Sequence, residues 1–137
     1  APEMDLMFYA EEGKGAYLND EKLTPKWSDN LLKSIITMGN KRGLTHNYIK
    51  ELEEKVMRIR FFGTAALQIA YTAAGYSDSF ISLRSKPWDV AGGFLILKEA
   101  GGKILKFDGE NANIFDSKAI YVNPNIDKEL LFYIKEW

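Results

Sequence analysis

The chain has 137 residues, of which 46% are apolar and 27% charged, with a formal net charge of -1. That length suffices for one domain with its own core, and the interspersed, nearly balanced charge offers no basic face for nucleic acid or an anionic membrane. With no cysteine and one histidine, disulfides, thiolate chemistry, iron–sulfur clusters and polyhistidine metal sites are excluded, so any metal must be held by oxygen ligands, which points to magnesium, manganese or calcium.

Leu6-Met7-Phe8-Tyr9-Ala10 predicts a strand over residues 5–10, already under way where the chain opens, so the chain reads as a piece of something longer. Gly13-Lys14-Gly15 supplies the positive backbone angles of a tight reversal into a second strand over 15–18. These glycines lack P-loop spacing and no helix pattern follows them. Asn19-Asp20 is a turn signal, and Pro25 interrupts regular structure. Ser34-Ile35-Ile36-Thr37-Met38 reads as a buried strand ending at Gly39. Thr45 is placed to cap a helix over 46–56, with Tyr48, Ile49, Leu52 and Val56 on one face; His46 sits at its start and is expected to be exposed.

Residues 58–62 read as a strand, and Gly63-Thr64-Ala65-Ala66 opens a small-residue helix stopped at Gly75. A strand over 79–83 follows, then a helix from Trp88-Asp89 to Ala100, closed by Gly101-Gly102. Strands over 103–107 and 119–122 and a helix over 126–136 complete the chain. Strands alternating with helices predict a single α/β domain over 1–137, a layered sandwich with a mixed sheet. No apolar stretch approaches a membrane span and no signal-peptide pattern occurs, so the cytoplasm is the expected location.

The densest chemical constellation is Lys86-Pro87-Trp88-Asp89-Val90-Ala91-Gly92-Gly93. Proline fixes the approach, and Asp89 in the first helical turn complements the helix dipole. A bare cap and a metal-ligand carboxylate are both open for Asp89, and they are compatible, since one oxygen caps while the other binds. Small residues at Gly63, Thr64 and Ala65 suit either close helix packing or an anion at a helix N-terminus.

Trp88-Asp89-Val90-Ala91-Gly92-Gly93, followed by Glu99-Ala100-Gly101-Gly102-Lys103, resembles the C-terminal signature of the inositol monophosphatase family. Gly13-Lys14-Gly15-Ala16-Tyr17-Leu18-Asn19 resembles that family's hairpin. Arg60 with Gly63-Thr64-Ala65-Ala66, then Tyr71, Ala74-Gly75 and Asp78, continues the pattern in order. The resemblance implies the C-terminal half of the family's sandwich fold, with the half that carries most metal ligands and the phosphate cradle preceding Ala1. It also implies a phosphatase that hydrolyses an inositol phosphate or sugar phosphate with magnesium-bound water, manganese serving as an alternative ion, and an intact protein that forms a homodimer. Carried over residue by residue, it implies that Asp89 is a metal ligand and catalytic, and that Gly63, Thr64 and Ala65 form a substrate wall. Where inositol-specific members carry a glutamate, this chain has Ser82. Arg84 and Lys86 follow; with Ser82 they are expected to take part in substrate recognition, and this basic pair is similar to that of members that also hydrolyse fructose 1,6-bisphosphate. A solvated charge pair is the plainer reading of it. One carboxylate gives magnesium little affinity, so the chain by itself is expected to be inactive. The competing expectation is a non-catalytic module that binds a sugar phosphate or pairs with another chain through open strand edges.

Overall fold

The computed structural model describes residues 1–39 and 45–137. Among these residues eight strands and four helices occur, in the order the sequence pattern suggests but with one added strand and mostly shorter bounds. A 3-10 turn at Pro2–Met4 comes first, and the chain bends at Asp5 (φ 50°) before strand β1, Phe8–Glu11. The strand expected over 5–10 therefore starts later. The reason is local: the Met7 amide donates to Asn19 Oδ1 at 2.9 Å, and Asn19 Nδ2 donates to the Asp5 carbonyl, so both ends of this stretch serve a turn. Strands β2 (Gly15–Leu18) and β3 (Glu21–Lys22) pair antiparallel in the order β1-β2-β3. The two-residue β3, wholly polar, has no counterpart in the sequence expectation.

A second sheet holds β4 (Ile35–Met38), β5 (Arg58–Arg60), β6 (Ser79–Ser82), β7 (Lys103–Leu105) and β8 (Ala119–Val122) in the order β5-β4-β6-β8-β7. Strand β4 runs parallel to β5 and β6, whereas β8 runs antiparallel to β6 and β7, so the sheet is mixed as expected. Helices α2 (Ala65–Ala74) and α3 (Pro87–Glu99) cover one face, while α1 (Thr45–Leu52) and α4 (Asp127–Ile134) cover the other. Period-two alternation sorts the strand side chains between the two cores. Phe80, Ala119, Tyr121 and Ile104 pack toward α2 and α3, and Ile36, Met38, Ile81, Ile120 and Val122 pack toward α1 and α4. With both faces covered, β6 and β8 are buried along their whole length.

Helix α1 stops at Leu52 rather than running to 56, because the chain must turn there to start β5; the Met57 amide already donates to the Ser34 carbonyl at 3.0 Å. The cap expected from Thr45 lies outside the described side chains, and His46 is exposed. The C-terminal residue closes over this helix: Trp137 stacks on Tyr48 at 4.2 Å between ring centroids, and its indole N–H donates to Glu51 Oε2 at 2.6 Å. Helices α2 and α3 approach very closely, since a Cβ at Gly93 would lie 2.9 Å from Ile69 Cβ and Cγ2.

Asp78, only 6% exposed, pins one end of the sheet. Its carboxylate accepts from the Ser28 amide (2.8 Å), the Ile35 amide (2.9 Å), the Ser28 hydroxyl (3.1 Å) and Asn123 Nδ2 (3.1 Å). The beginnings of β4 and β6 and the end of β8 are thereby held by one side chain. Truncating it strands several donors out of reach of water. Asp78→Ala is expected to cost about 3 kcal/mol or more, read as a lower urea midpoint; an unchanged midpoint would contradict this role.

The hairpin sheet is tied to α3 through Glu99, whose two oxygens accept from the Gly13 amide at 3.0 Å and the Gly15 amide at 2.9 Å. These bonds, Gly13's first, hold its carboxyl below the ordinary value of 4.5. A depressed folded value means the stabilisation is fully present above the unfolded value and is lost as pH falls through the folded one. The stability difference between the chain and Glu99→Gln should hold steady near neutrality and shrink below about pH 4.5. Urea midpoints of both proteins across that range check it, and a difference independent of pH would refute the coupling.

Candidate functional site

In a parallel β–α unit the helix begins where its strand ends, so helix N-termini gather at the carboxyl edge of the strands. Strand β5 leads to α2 and β6 leads to α3, and an open cavity of about 1050 Å³ lies where the two helices begin. Met38 and Gly39 at the end of β4, with Phe80 and Leu83, join its wall.

On the α2 side the chain turns at Gly63 with φ 74°, a backbone angle that glycine adopts without strain. Thr64 then caps α2 with its backbone extended and its side chain making no cap bond. The first amides of α2 thus have no intrahelical acceptor and stand at the positive end of the helix dipole. Gly63, Thr64, Ala65 and Ala66 all line the cavity.

On the α3 side, Pro87 starts the helix and Asp89 closes its first turn. The Lys86 amide donates to Asp89 Oδ2 at 3.0 Å, and the Asp89 amide donates back to the Lys86 carbonyl at 2.9 Å. Oδ1 makes no hydrogen bond among the described residues, so one carboxylate oxygen caps the helix and the other is free on a residue that lines the cavity. Arg84 lines the same cavity, is exposed and joins no salt bridge among the described residues. Among the described residues, the charged lining therefore consists of one carboxylate and one guanidinium.

Of the residues singled out from sequence, Gly63, Thr64, Ala65, Arg84 and Asp89 converge. Ser82 and Lys86 do not line the cavity. Ser82 is 1% exposed, and its single hydroxyl proton is shared between Ser85 Oγ at 2.8 Å and the Ser117 carbonyl at 2.9 Å while its oxygen accepts from the Ser85 amide. It holds Ser85, which does line the cavity. Lys86 is exposed beyond the rim and contributes its backbone to the α3 cap.

Four further lining residues were assigned no role from the sequence. Trp88 is 79% exposed on the rim, Phe61 is 44% exposed, Ser85 sits between the two basic residues, and Gln68, 1% exposed, forms part of the deeper wall. The exposed tryptophan was visible as a neighbour of Asp89. Gln68, an amide inside an apolar helical run, could have been flagged only by asking what a buried amide bonds to.

Among the described residues no group of three His, Cys, Asp or Glu side chains could hold an ion. Asp89 offers one free oxygen, which alone does not make a magnesium site. Among the described residues no helix is long and apolar enough to cross a membrane.

A family model for the inositol monophosphatase family matches residues 1–136. A fructose-1,6-bisphosphatase/inositol-1-monophosphatase of Thermotoga maritima is 38% identical over 136 residues, 99% of this chain and 53% of that protein. An inositol-1-monophosphatase of Bacillus subtilis is 31% identical over 132 residues, 92% of this chain and 50% of its own. The solved Thermotoga maritima IMPase superposes with a TM-score of 0.94 at 38% identity, covering 99% of this chain and 54% of that one. A structure of inositol monophosphate-bound SaIMPase-II superposes with a TM-score of 0.86 at 30% identity, covering 98% and 55%. The chain spans about half the length of the curated relatives it matches.

Proposed function

The chain belongs to the inositol monophosphatase family, and from that premise we propose that it is the C-terminal half of a magnesium-dependent phosphatase acting on an inositol or sugar phosphate. The observation that carries this reading is the convergence of the Gly63–Thr64–Ala65 corner, Arg84 and the free oxygen of Asp89 on one cavity. A phosphate ester presents hydroxyls and an anion together. Helix-end amides donate to the oxygens of such a ligand, and an unpaired guanidinium neutralises its charge.

In this reading Asp89 contributes one oxygen to the metal site, already oriented by its bond to the Lys86 amide. The other ligands come from the half that the chain does not span. Ser82 steadies Ser85 and the loop carrying Arg84, so it acts behind the cavity wall. Lys86 stays a solvated cation at the rim. With Arg84 in the wall and no carboxylate at position 82, the pocket suits ligands with a second anionic group, such as fructose 1,6-bisphosphate, at least as well as inositol 1-phosphate. Manganese is the alternative ion.

The test completes this chain with the N-terminal half of the Thermotoga maritima relative and follows inorganic phosphate released from both substrates. Magnesium-dependent release is expected from the completed protein and none from the chain by itself. Asp89→Asn should lower the rate at least about 100-fold while changing stability by no more than about 1 kcal/mol. Phosphate released at full rate by the Asp89→Asn protein would refute the assignment. Binding without turnover by the completed protein would favour a non-catalytic module.

A further inference from the structure

Three polar side-chain atoms are buried without a hydrogen-bond partner among the described residues: Ser79 Oγ, Tyr121 OH and Gln68 Oε1. Ser79 and Tyr121 lie in the interior of the sheet, away from any cavity. Gln68 alone belongs to a residue that lines the cavity just described. Its Nε2 donates to the Thr64 carbonyl at 2.9 Å, beside the weaker bond that the Gln68 amide makes to the same oxygen at 3.3 Å. The side chain is thus anchored beneath the turn that carries Gly63, Thr64 and Ala65, with its oxygen left as an acceptor lacking a donor. A buried acceptor left without a donor is destabilising, since it has given up its water and gained no partner. A methionine or leucine would fill the same space without that cost, so stability alone does not account for a glutamine here.

The two unsatisfied groups at this corner ask for opposite partners. The first amides of α2 need an acceptor, and Gln68 Oε1 needs a donor. A hydroxyl serves both, whereas the oxygens of an ionised phosphate only accept. We propose that Gln68 is a specificity-determining residue of this cavity, accepting a hydrogen bond from a hydroxyl of a polyol ligand whose oxygen meets the amides at the start of α2. The terminal torsion of glutamine is soft, so a small rotation brings the shielded oxygen to a donor arriving at the wall. Arg84, carrying the free positive charge, takes the anionic end of the same ligand. This assignment rests on the reading of the cavity as a phosphate-ester site, and it narrows the substrate class to esters that keep a free hydroxyl at the α2 corner.

The experiment compares inositol 1-phosphate with cyclohexyl phosphate, which has the same ring and phosphate but no free hydroxyl. Binding is read from the amide shifts of Gly63, Thr64 and Ala65. The chain should bind the polyol ester about tenfold more tightly, and Gln68→Met should bind both esters alike while unfolding at the same or higher urea concentration. Gln68→Leu serves equally if the methionine does not pack. A preference that survives in these variants, or that is missing from the unsubstituted chain, overturns the role of Gln68 and leaves the phosphatase reading standing. If neither ester shifts the corner amides, the role of Gln68 falls, whereas the phosphatase reading is decided separately by phosphate release from the completed protein.

Discussion

The site depends on how closely α2 and α3 can approach. Gly93 is the contact point, and a single methyl there would run into Ile69, which is fully buried and branched at Cβ. A β-branched side chain has no easy alternative rotamer, so the displacement would pass to the helix axes. Those axes carry the Gly63–Ala65 corner at one start and Asp89 at the other. A shift too small to unfold the domain would still change the gap between the corner amides and the carboxylate. The functional geometry is therefore set several residues away from any functional group, by the absence of a side chain.

The sheet imposes the complementary order. Asp78 gathers the beginnings of β4 and β6 at one edge, and the cavity opens at the opposite edge, where Met38 and Gly39 end β4 and Leu83 follows β6. Fixing the amino ends with a buried carboxylate leaves the carboxyl ends free to diverge into loops. The same edge receives the helix dipoles of α2 and α3. Chemistry and structural rigidity thus occupy opposite ends of the same strands, and the polar side chains divide accordingly.

Much of this was legible in the sequence, for reasons that differ from residue to residue. Buried strands such as 119–122 announce themselves because both faces are covered and the run is apolar throughout. Glycine marked the turns at Gly63 and Gly75, where φ is positive. Asp89 and the Gly63–Ala65 corner were singled out because the motifs that carry them resemble those of a known family, not because spacing alone pointed to them. Ser82 misled because its position in the motif says nothing about its neighbours; β6 is buried on both faces, and a hydroxyl there turns to Ser85 and Ser117. Lys86 looked like half of a basic pair, but a side chain at a helix cap projects outward while its backbone does the holding. Gln68 was illegible, since periodicity treats an amide as one more residue of the helix. The two-residue β3 was invisible because its strand character comes wholly from pairing with β2.

The clamp made by Trp137 bears on the order in which the chain is built. Helix α1 has eight residues, too few to hold together in water on helix propensity alone. Its support comes from the far end of the sequence, through Tyr48 stacked on Trp137 and Glu51 bonded to the same indole. During synthesis the ribosome delivers α1 long before the residue that fastens it. The segment therefore waits unfastened until Trp137 has been made, and α1 then closes over its face of the sheet through a contact that spans 86 residues of sequence. Such closure is a slow, long-range step, so a helix written early in the chain is completed only by a contact written much later.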